Sequence, residues 1–356
     1  MSQTTGSAVG ETAAGPNSSI RIREAGDEDA QAVCEIFRAV YGGDYTYPHF
    51  FDVHQMKKII FGEDTLVLVA EDTAAGRILG TAAVILEVGA YSDLVGEFGR
   101  LVVHPDARGR GLGKLLMEER LRRVRDRLQV GLVEARVAHP FAQKISRRYG
   151  FAPVGFLASK HRFGDYRDSV ALLVQYFGHA LRLRRNHPRV IPEVYPMAMA
   201  AFRNVSMEPD AIVVEREPSY PGGEDYEIQE LTDEGYSSLL RIERGRRQDR
   251  EVFGPLRLHY GFFKLQAHRS SYIIARKGSH IAGALGYTYD EYEGNIRVFE
   301  LIILEEHSIP FLLENLEREC ADLPNVRALE IDVSAYAPRM QRTLVERGFV
   351  PVAYIP

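Results

Sequence analysis

Tryptophan is absent from this 356-residue chain, and cysteine occurs only at Cys34 and Cys320. Two cysteines in separate helix-like patterns exclude a disulfide framework and a cysteine-built metal site, and a reducing cytoplasm fits. No metal ligand set of another kind is expected either. Long apolar runs are also lacking: no stretch approaches the ~18 residues a membrane-crossing helix needs. A charge excess is missing as well. Lys plus Arg (44) against Asp plus Glu (49) gives −5, which offers neither a nucleic-acid nor a membrane-surface partner. Met1 to Ser19 has neither the basic start nor the apolar centre of a signal peptide, and is expected to be a disordered tail. What is present, 45% hydrophobic and 26% charged residues, suits a globular chain long enough for two domains.

The most informative stretch runs Leu101-Val-Val-His-Pro-Asp-Ala-Arg-Gly-Arg-Gly-Leu-Gly-Lys-Leu-Leu116. An apolar strand stops at His104-Pro105, a basic glycine-rich loop follows, and a helix begins near Leu112. Such a loop gathers backbone N–H groups and a helix N-terminus at one point, which suits a diphosphate.

Around it the hydrophobic periods give β-α-α-β-β-β-α-β-α-β-β over residues 20–177. Asp27 is read as the cap of the first helix, through about Tyr41, and Phe50 to Phe61 as the second. Residues 178–222, with Arg182, Arg184, Arg185 and several prolines, read as a helical linker with a helix from about Pro192 to Val205. The rest of the chain repeats the first part. Gly150-Phe-Ala-Pro-Val-Gly-Phe156 returns as Gly348-Phe-Val-Pro-Val-Ala-Tyr354, and Pro140 and Pro338 each stand ten residues before those glycines. Tyr226 to Thr232 with Asp233 repeats the first strand and cap. Ile273 to Ala275, Ile281 to Tyr289 and Val298 to Leu304 repeat the three middle strands. Where the glycine loop should recur the chain reads Glu305-Glu-His-Ser-Ile-Pro310 and enters a helix from Phe311 to Glu319. That loop has no glycine and two carboxylates, which repel a diphosphate. The second sheet is expected to be incomplete, because the chain reaches Pro356 where a last strand belongs.

Arg108-Gly-Arg-Gly111-Leu-Gly113 reads Arg-x-x-Gly-x-Gly and resembles the acyl-CoA pyrophosphate motif of the GNAT N-acyltransferase superfamily. The element order of residues 20–177 resembles that family's as well. The resemblance implies an α/β fold of two tandem GNAT domains, each a mixed splayed sheet flanked by helices: a catalytic domain over 20–177 and a degenerate one over 223–356. It implies acetyl-CoA or another acyl-CoA as donor. The pantetheine arm would lie along Leu101, Val102 and Val103. The diphosphate would rest on N–H groups of Arg108, Gly109, Arg110, Gly111, Leu112 and Gly113, with Arg108, Arg110 and Lys114 adding positive charge.

Acyl transfer to an amine needs a base. Glu97, four residues before Leu101, stands where histone-acetylating members place theirs; the alternative is an exposed strand glutamate. His139 stands where many members have a cofactor-contacting asparagine, and is either a ligand contact or proton relay or a cap before Pro140. Where many members carry a tyrosine general acid this chain has Ser146, and Tyr149 points about 300° round the helix from it. Arg120, Arg122, Arg123, Arg125 and Arg127 read as a solvated helix face or a docking patch for an acidic carrier protein, and Arg241 to Arg250 is similar. The aromatics Tyr41, Tyr45, Tyr47, Phe50 and Phe51, and again Tyr260, Phe262 and Phe263, read as core or as the wall of an acceptor pocket.

Three functions follow. One is an N-acyltransferase acting on a small-molecule or peptide primary amine by direct attack. The second is a natural-product acyltransferase that takes its acyl group from acyl-carrier-protein phosphopantetheine and gives it to a peptide amine. The third is a non-catalytic acyl-CoA sensor or scaffold.

Overall fold

The computed structural model describes residues 19–86, 94–230, 251–253 and 270–356. The tail up to Ser18, Asp233, the Arg241 to Arg250 run and the aromatics at Tyr260, Phe262 and Phe263 lie outside the described residues.

The N-terminal part is a mixed α/β unit. In chain order it contains β1 (Ile20–Glu24), α1 (Ala30–Tyr41), α2 (Val53–Ile60), β2 (Thr65–Asp72), β3 (Arg77–Ile85) and β4 (Val95–Val103). Then come α3 (Leu112–Val124), β5 (Val130–Arg136), α4 (Pro140–Arg148), β6 (Ala152–Phe163) and β7 (Tyr166–Tyr176). Its seven strands lie in the order β1-β2-β3-β4-β5-β7-β6. Alternation along β2 and β3 feeds two cores. Leu66, Leu68, Ala82 and Val84 meet Leu112, Leu116 and Met117 of α3, while Val69 meets Val33, Phe37 and Met56 of α1 and α2 on the other face.

Two helix starts differ from the sequence reading. Asp27 to Asp29 form a 3-10 turn, and Asp29 rather than Asp27 closes it: its carboxylate accepts the Gly26 N–H at 2.7 Å and hydrogen bonds from Nη1 and Nη2 of Arg23. Asp27 instead pairs with Lys57. Likewise α2 starts at Val53, where the Asp52 side chain accepts the Gln55 N–H at 2.9 Å.

One strand pair is parallel: β4 meets β5 at Val95↔Val130, Gly96↔Gly131 and Glu97↔Leu132, and there the pairing stops. Beyond Glu97 the strands diverge, so the sheet splays open in a V whose arms end at Val103 and Arg136. The divergence coincides with a bulge in β4. Thr81 faces Val102 and Ala83 faces Gly99, leaving Arg100 and Leu101 opposite Ala82, and Arg100 takes φ 53°.

Between the halves lie α5 (Ala180–Leu183), β8 (Arg189–Val190), α6 (Tyr195–Asn204) and β9 (Ile212–Val213), with α6 packed on β6. The helix expected from Pro192 therefore starts at Tyr195. The C-terminal part contains β10 (Glu227–Glu230), β11 (Val252–Phe253), β12 (Ser270–Lys277), β13 (His280–Asp290) and β14 (Asn295–Ile303). It continues with α7 (Ser308–Asp322), β15 (Ala328–Val333) and α8 (Pro338–Glu346), its strands ordered β10-β12-β13-β14-β15-β11. Here too one pair is parallel, starting Asn295↔Ala328. The place beside β15 is not vacant, as the short C-terminus had suggested. Val252 and Phe253 pair there with Val333 and Asp332.

The two related heptapeptides meet. Gly155 bridges Ala353, the Phe156 N–H donates to the Val352 carbonyl at 2.9 Å, and the Tyr354 N–H donates to the Val154 carbonyl at 3.0 Å. Each bond joins the seventh residue of one heptapeptide to the fifth of the other, so the contact is reciprocal. A Cβ on Gly155 would lie 2.4 Å from that of Ala353, so only glycine permits this approach. Polar contacts also join the halves. Lys160 meets Glu330 at 2.8 Å, His161 meets Glu293 at 2.9 Å, and the Tyr47 hydroxyl donates to Asp290 at 2.9 Å.

Candidate active site

The V places two unlike edges opposite each other. On the β4 arm, Leu101 and Val103 are half-buried and Val102 is buried in the α1/α2 core. β4 bonds β3 on one side, whereas its other edge beyond Glu97 has no strand partner among the described residues, so its backbone is open to an extended ligand.

His104 ends the strand, and its Nδ1 accepts the Asp106 N–H at 3.3 Å as a 3-10 turn forms over Pro105 to Ala107. Gly109 and Gly111 take φ 81° and 79°, left-handed values that favour glycine, and a Cβ at either would meet nothing within 4 Å. The loop is thus both turned and open. Among the described residues the N–H groups of Gly109, Gly111, Leu112 and Gly113 donate to no carbonyl, and Gly111 sits at the N-cap of α3. Free N–H groups at a helix N-terminus suit an anion. Arg108 and Lys114 are exposed beside them. Arg110 instead turns back to Asp72 at 3.3 Å, and with Ser19 it holds that carboxyl below its ordinary range.

At the apex of the V, the Glu97 carboxylate accepts a hydrogen bond from the Arg100 guanidinium. Both are partly exposed, at 33% and 23%. Tyr45 lies within electrostatic reach of both, and burial raises its phenol above the ordinary value, so it stays protonated at neutral pH. Tyr41 is likewise raised by burial, against the opposing pull of the Arg136 charge at the end of β5. Arg136 also binds Asp168 at 2.7 Å and Tyr166 at 3.0 Å. The first aromatic group is therefore packed as core (Phe37 and Phe50 stack at 4.6 Å), yet Tyr41 and Tyr45 keep hydroxyls among charged groups.

The remaining sequence candidates separate. His139 occupies the N-cap position of α4 but makes no capping bond, and it is exposed at the end of the β5 arm. Ser146 is buried. The Tyr149 hydroxyl is engaged by Glu118 on α3, and burial together with that contact pushes its phenol up to about 12.

One residue departs from the sequence expectation. Arg120 is no part of a solvated face: it is 1% exposed. Its Nη1 donates to the Ala83 and Gly99 carbonyls at 3.2 and 3.1 Å, which are the two residues paired beside the β4 bulge. Arg122 and Arg123 bind Glu119, and Arg125 and Arg127 are exposed as expected. No sequence signal separates Arg120 from its neighbours except its position on the α3 face that also carries Leu116 and Met117.

The C-terminal counterpart differs in its chemistry. Matching the parallel pairs places Arg297 where β4 has Glu97. Arg297 is bound to Asp332 at 3.1 Å. Both carboxylates of the Glu305-Glu306 loop are engaged internally, Glu305 by His280 at 2.9 Å and Glu306 by Arg339 at 2.7 Å.

Among the described residues no group of His, Cys, Asp and Glu is arranged to hold a metal ion, and no helix is long and apolar enough to cross a membrane. Residues 63–153 match the family model for the acetyltransferase (GNAT) domain. No curated protein sequence matches the chain. Among solved structures it is similar to a GNAT superfamily phosphinothricin acetyltransferase from Sinorhizobium meliloti in complex with AcCoA. That match is 21% identical, covers 47% of this chain and 92% of the other, and has a TM-score of 0.41. A GCN5-related N-acetyltransferase from Kribbella flavida is 20% identical (45% and 98% covered, TM-score 0.39). A variant of the spermidine N-acetyltransferase SpeG from Vibrio cholerae is also 20% identical (46% and 98% covered, TM-score 0.39). The N-terminal part of this chain, built around the β4–loop–α3 unit, carries a GNAT-type N-acetyltransferase fold.

Proposed function

We propose that the chain is an N-acyltransferase that moves an acyl group from an acyl-CoA thioester, acetyl-CoA first, to a primary amine by direct attack. One observation carries this reading. The open edge of β4 runs from a carboxylate at its apex, Glu97, to a loop of unpaired N–H groups at the head of α3. A thioester donor supplies an activated acyl carbon. The loop residues Gly109 to Gly113, with Arg108 and Lys114, would hold its diphosphate, and the backbone of Leu101 to Val103 would line its pantetheine arm. Glu97 would accept the proton of the attacking amine. His139, exposed at the end of β5, has the weaker case: a ligand contact.

The C-terminal part, 223–356, is on this reading a degenerate second copy of residues 20–177, with 178–222 as the connection. The reciprocal pairing of the heptapeptides supports it, as does the parallel pair present in each sheet. Arg297 in the place of the base and carboxylates in the place of the glycine loop support a single reactive site per chain.

The test supplies acetyl-CoA, longer acyl-CoAs and acyl carrier protein to the purified chain with a panel of amines, and follows thiol release. Release with an acyl-CoA is expected, and its loss in Glu97→Gln. Tight CoA binding without release from any donor and amine would replace this reading with that of a sensor.

A further inference from the structure

The bulge beside the V also does something the acyl donor does not use: it sets the Arg100 side chain against α1 and α2. There Arg100 helps to line a cavity of about 100 Å³ between those helices and the sheet. Val33, Phe37, Phe50, Met56, Ile59 and Ile85 supply most of its wall. His49, Thr65 and Thr81 add polar atoms, and the Thr81 hydroxyl is already bonded to the Leu68 carbonyl. Arg100 gives one nitrogen, Nη1, to Glu97, and its Nε and Nη2 donate to no group among the described residues. An arginine held at φ 53° carries backbone strain, and such strain persists where the surroundings enforce it, often at ligand sites.

The Glu97–Arg100 pair and the cavity together form three adjoining surfaces: an anion, a cation with two spare donor nitrogens, and an apolar recess. A zwitterion with an apolar substituent complements all three. Building on the acyltransferase reading, we propose that the acceptor is an α-amino acid with an aliphatic side chain. Its ammonium meets Glu97, its carboxylate takes a two-point bond from Arg100, and its side chain enters the cavity. Binding exchanges the internal ion pair for two external ones, so neither charge is left bare. The recess sets the size. An engineered apolar cavity of about 150 Å³ admits benzene, so about 100 Å³ suits a branched aliphatic chain better than a ring. Once bound, the ammonium gives a proton to Glu97 and the freed amine nitrogen attacks the thioester carbon. The carbon–sulfur bond breaks as the amide bond forms, and the thiol leaves with the second amine proton.

The experiment compares L-leucine, L-leucinamide and isoamylamine, with acetyl-CoA as donor and thiol release as readout. Leucine should exceed isoamylamine in kcat/KM by about 100-fold or more, because a site built for a carboxylate rejects the analogue lacking it. Arg100→Gln should collapse that ratio toward one, and Arg100→Lys should keep part of it. Val33→Phe, which fills the recess, should raise KM for leucine by a larger factor than for glycine. Equal rates for leucine and isoamylamine, or an unchanged ratio in Arg100→Gln, overturn the proposal while leaving the acyltransferase reading intact. If no amine releases thiol, that reading fails, and calorimetry decides the acceptor site alone. Binding of leucine that is absent for isoamylamine and lost in Arg100→Gln supports it; no leucine binding to the wild-type chain overturns it.

Discussion

Glu97, Gly111 and Arg120 show how one side chain acquires its role from its backbone position. Glu97 stands on the last parallel pair before the V opens, where its carboxylate is bonded by Arg100. Glu97→Gln keeps the shape and removes the proton acceptor. It is expected to lower kcat by about 10²–10⁴-fold while calorimetry finds CoA affinity unchanged; a parallel loss of CoA affinity would mean a binding role instead. Gly111→Glu places both a strained backbone and a carboxylate among the loop N–H groups. A rise in the CoA dissociation constant of at least about 100-fold is expected, and intact CoA binding would remove the loop from the donor site. Arg120→Met leaves the Ala83 and Gly99 carbonyls without their donor next to the bulge. Burial alone pushes the Arg120 guanidinium down to about 9, so the wild type carries a cost that these bonds offset only in part. The net loss on substitution is expected to be about 1–3 kcal/mol in urea unfolding.

At the scale of elements, the edge strand β6 is completed by the C-terminal segment, and this joins the two halves more directly than any side chain does. Tyr354 is buried against Phe202 of α6 and the valines at 154, 174 and 190. Gly155→Val would drive a branched side chain into Ala353 and the Val352 carbonyl. The expected result is separation of the edge, seen as early hydrogen exchange at Phe156 and Tyr354, with a stability loss of about 2 kcal/mol or more. Unchanged exchange at both amides would show that the contact is not holding the edge. The helices α4 and α8 reflect the same logic from sequence: each begins with a proline at its first position, where no N–H is required.

At the scale of the whole molecule, a charged seam runs between its halves. His161 lies between Glu134 of β5, at 3.3 Å, and Glu293 of the β13–β14 turn, at 2.9 Å. Burial lowers its pKa, but the hydrogen bonds to the two carboxylates outweigh burial and raise it to about 9. A histidine whose folded value is raised stabilises the fold fully below its unfolded value of about 6.5. That contribution then fades as pH rises through about 9. Thermal melts should therefore fall between pH 6.5 and 9 in the wild type by an amount that His161→Gln abolishes. Identical slopes in the two proteins would exclude the seam as a source of pH-dependent stability.

Much of this was legible in the sequence because it is local. A strand that meets His104-Pro105, turns through glycines and enters a helix is specified by neighbours within about ten residues, and so is the repeat that returns it without its glycines. The seven strands of the N-terminal part and the open loop follow from such patterns. Tertiary structure alone decided that Arg120 is buried while Arg122 is not, because both read as one basic face until α3 is laid on the bulge of β4. It also decided that β11 takes the place beside β15, and that the two heptapeptides pair with each other. These are contacts between residues far apart in the chain. Their energy comes from the surfaces that meet, and local periodicity carries no record of which surfaces those are.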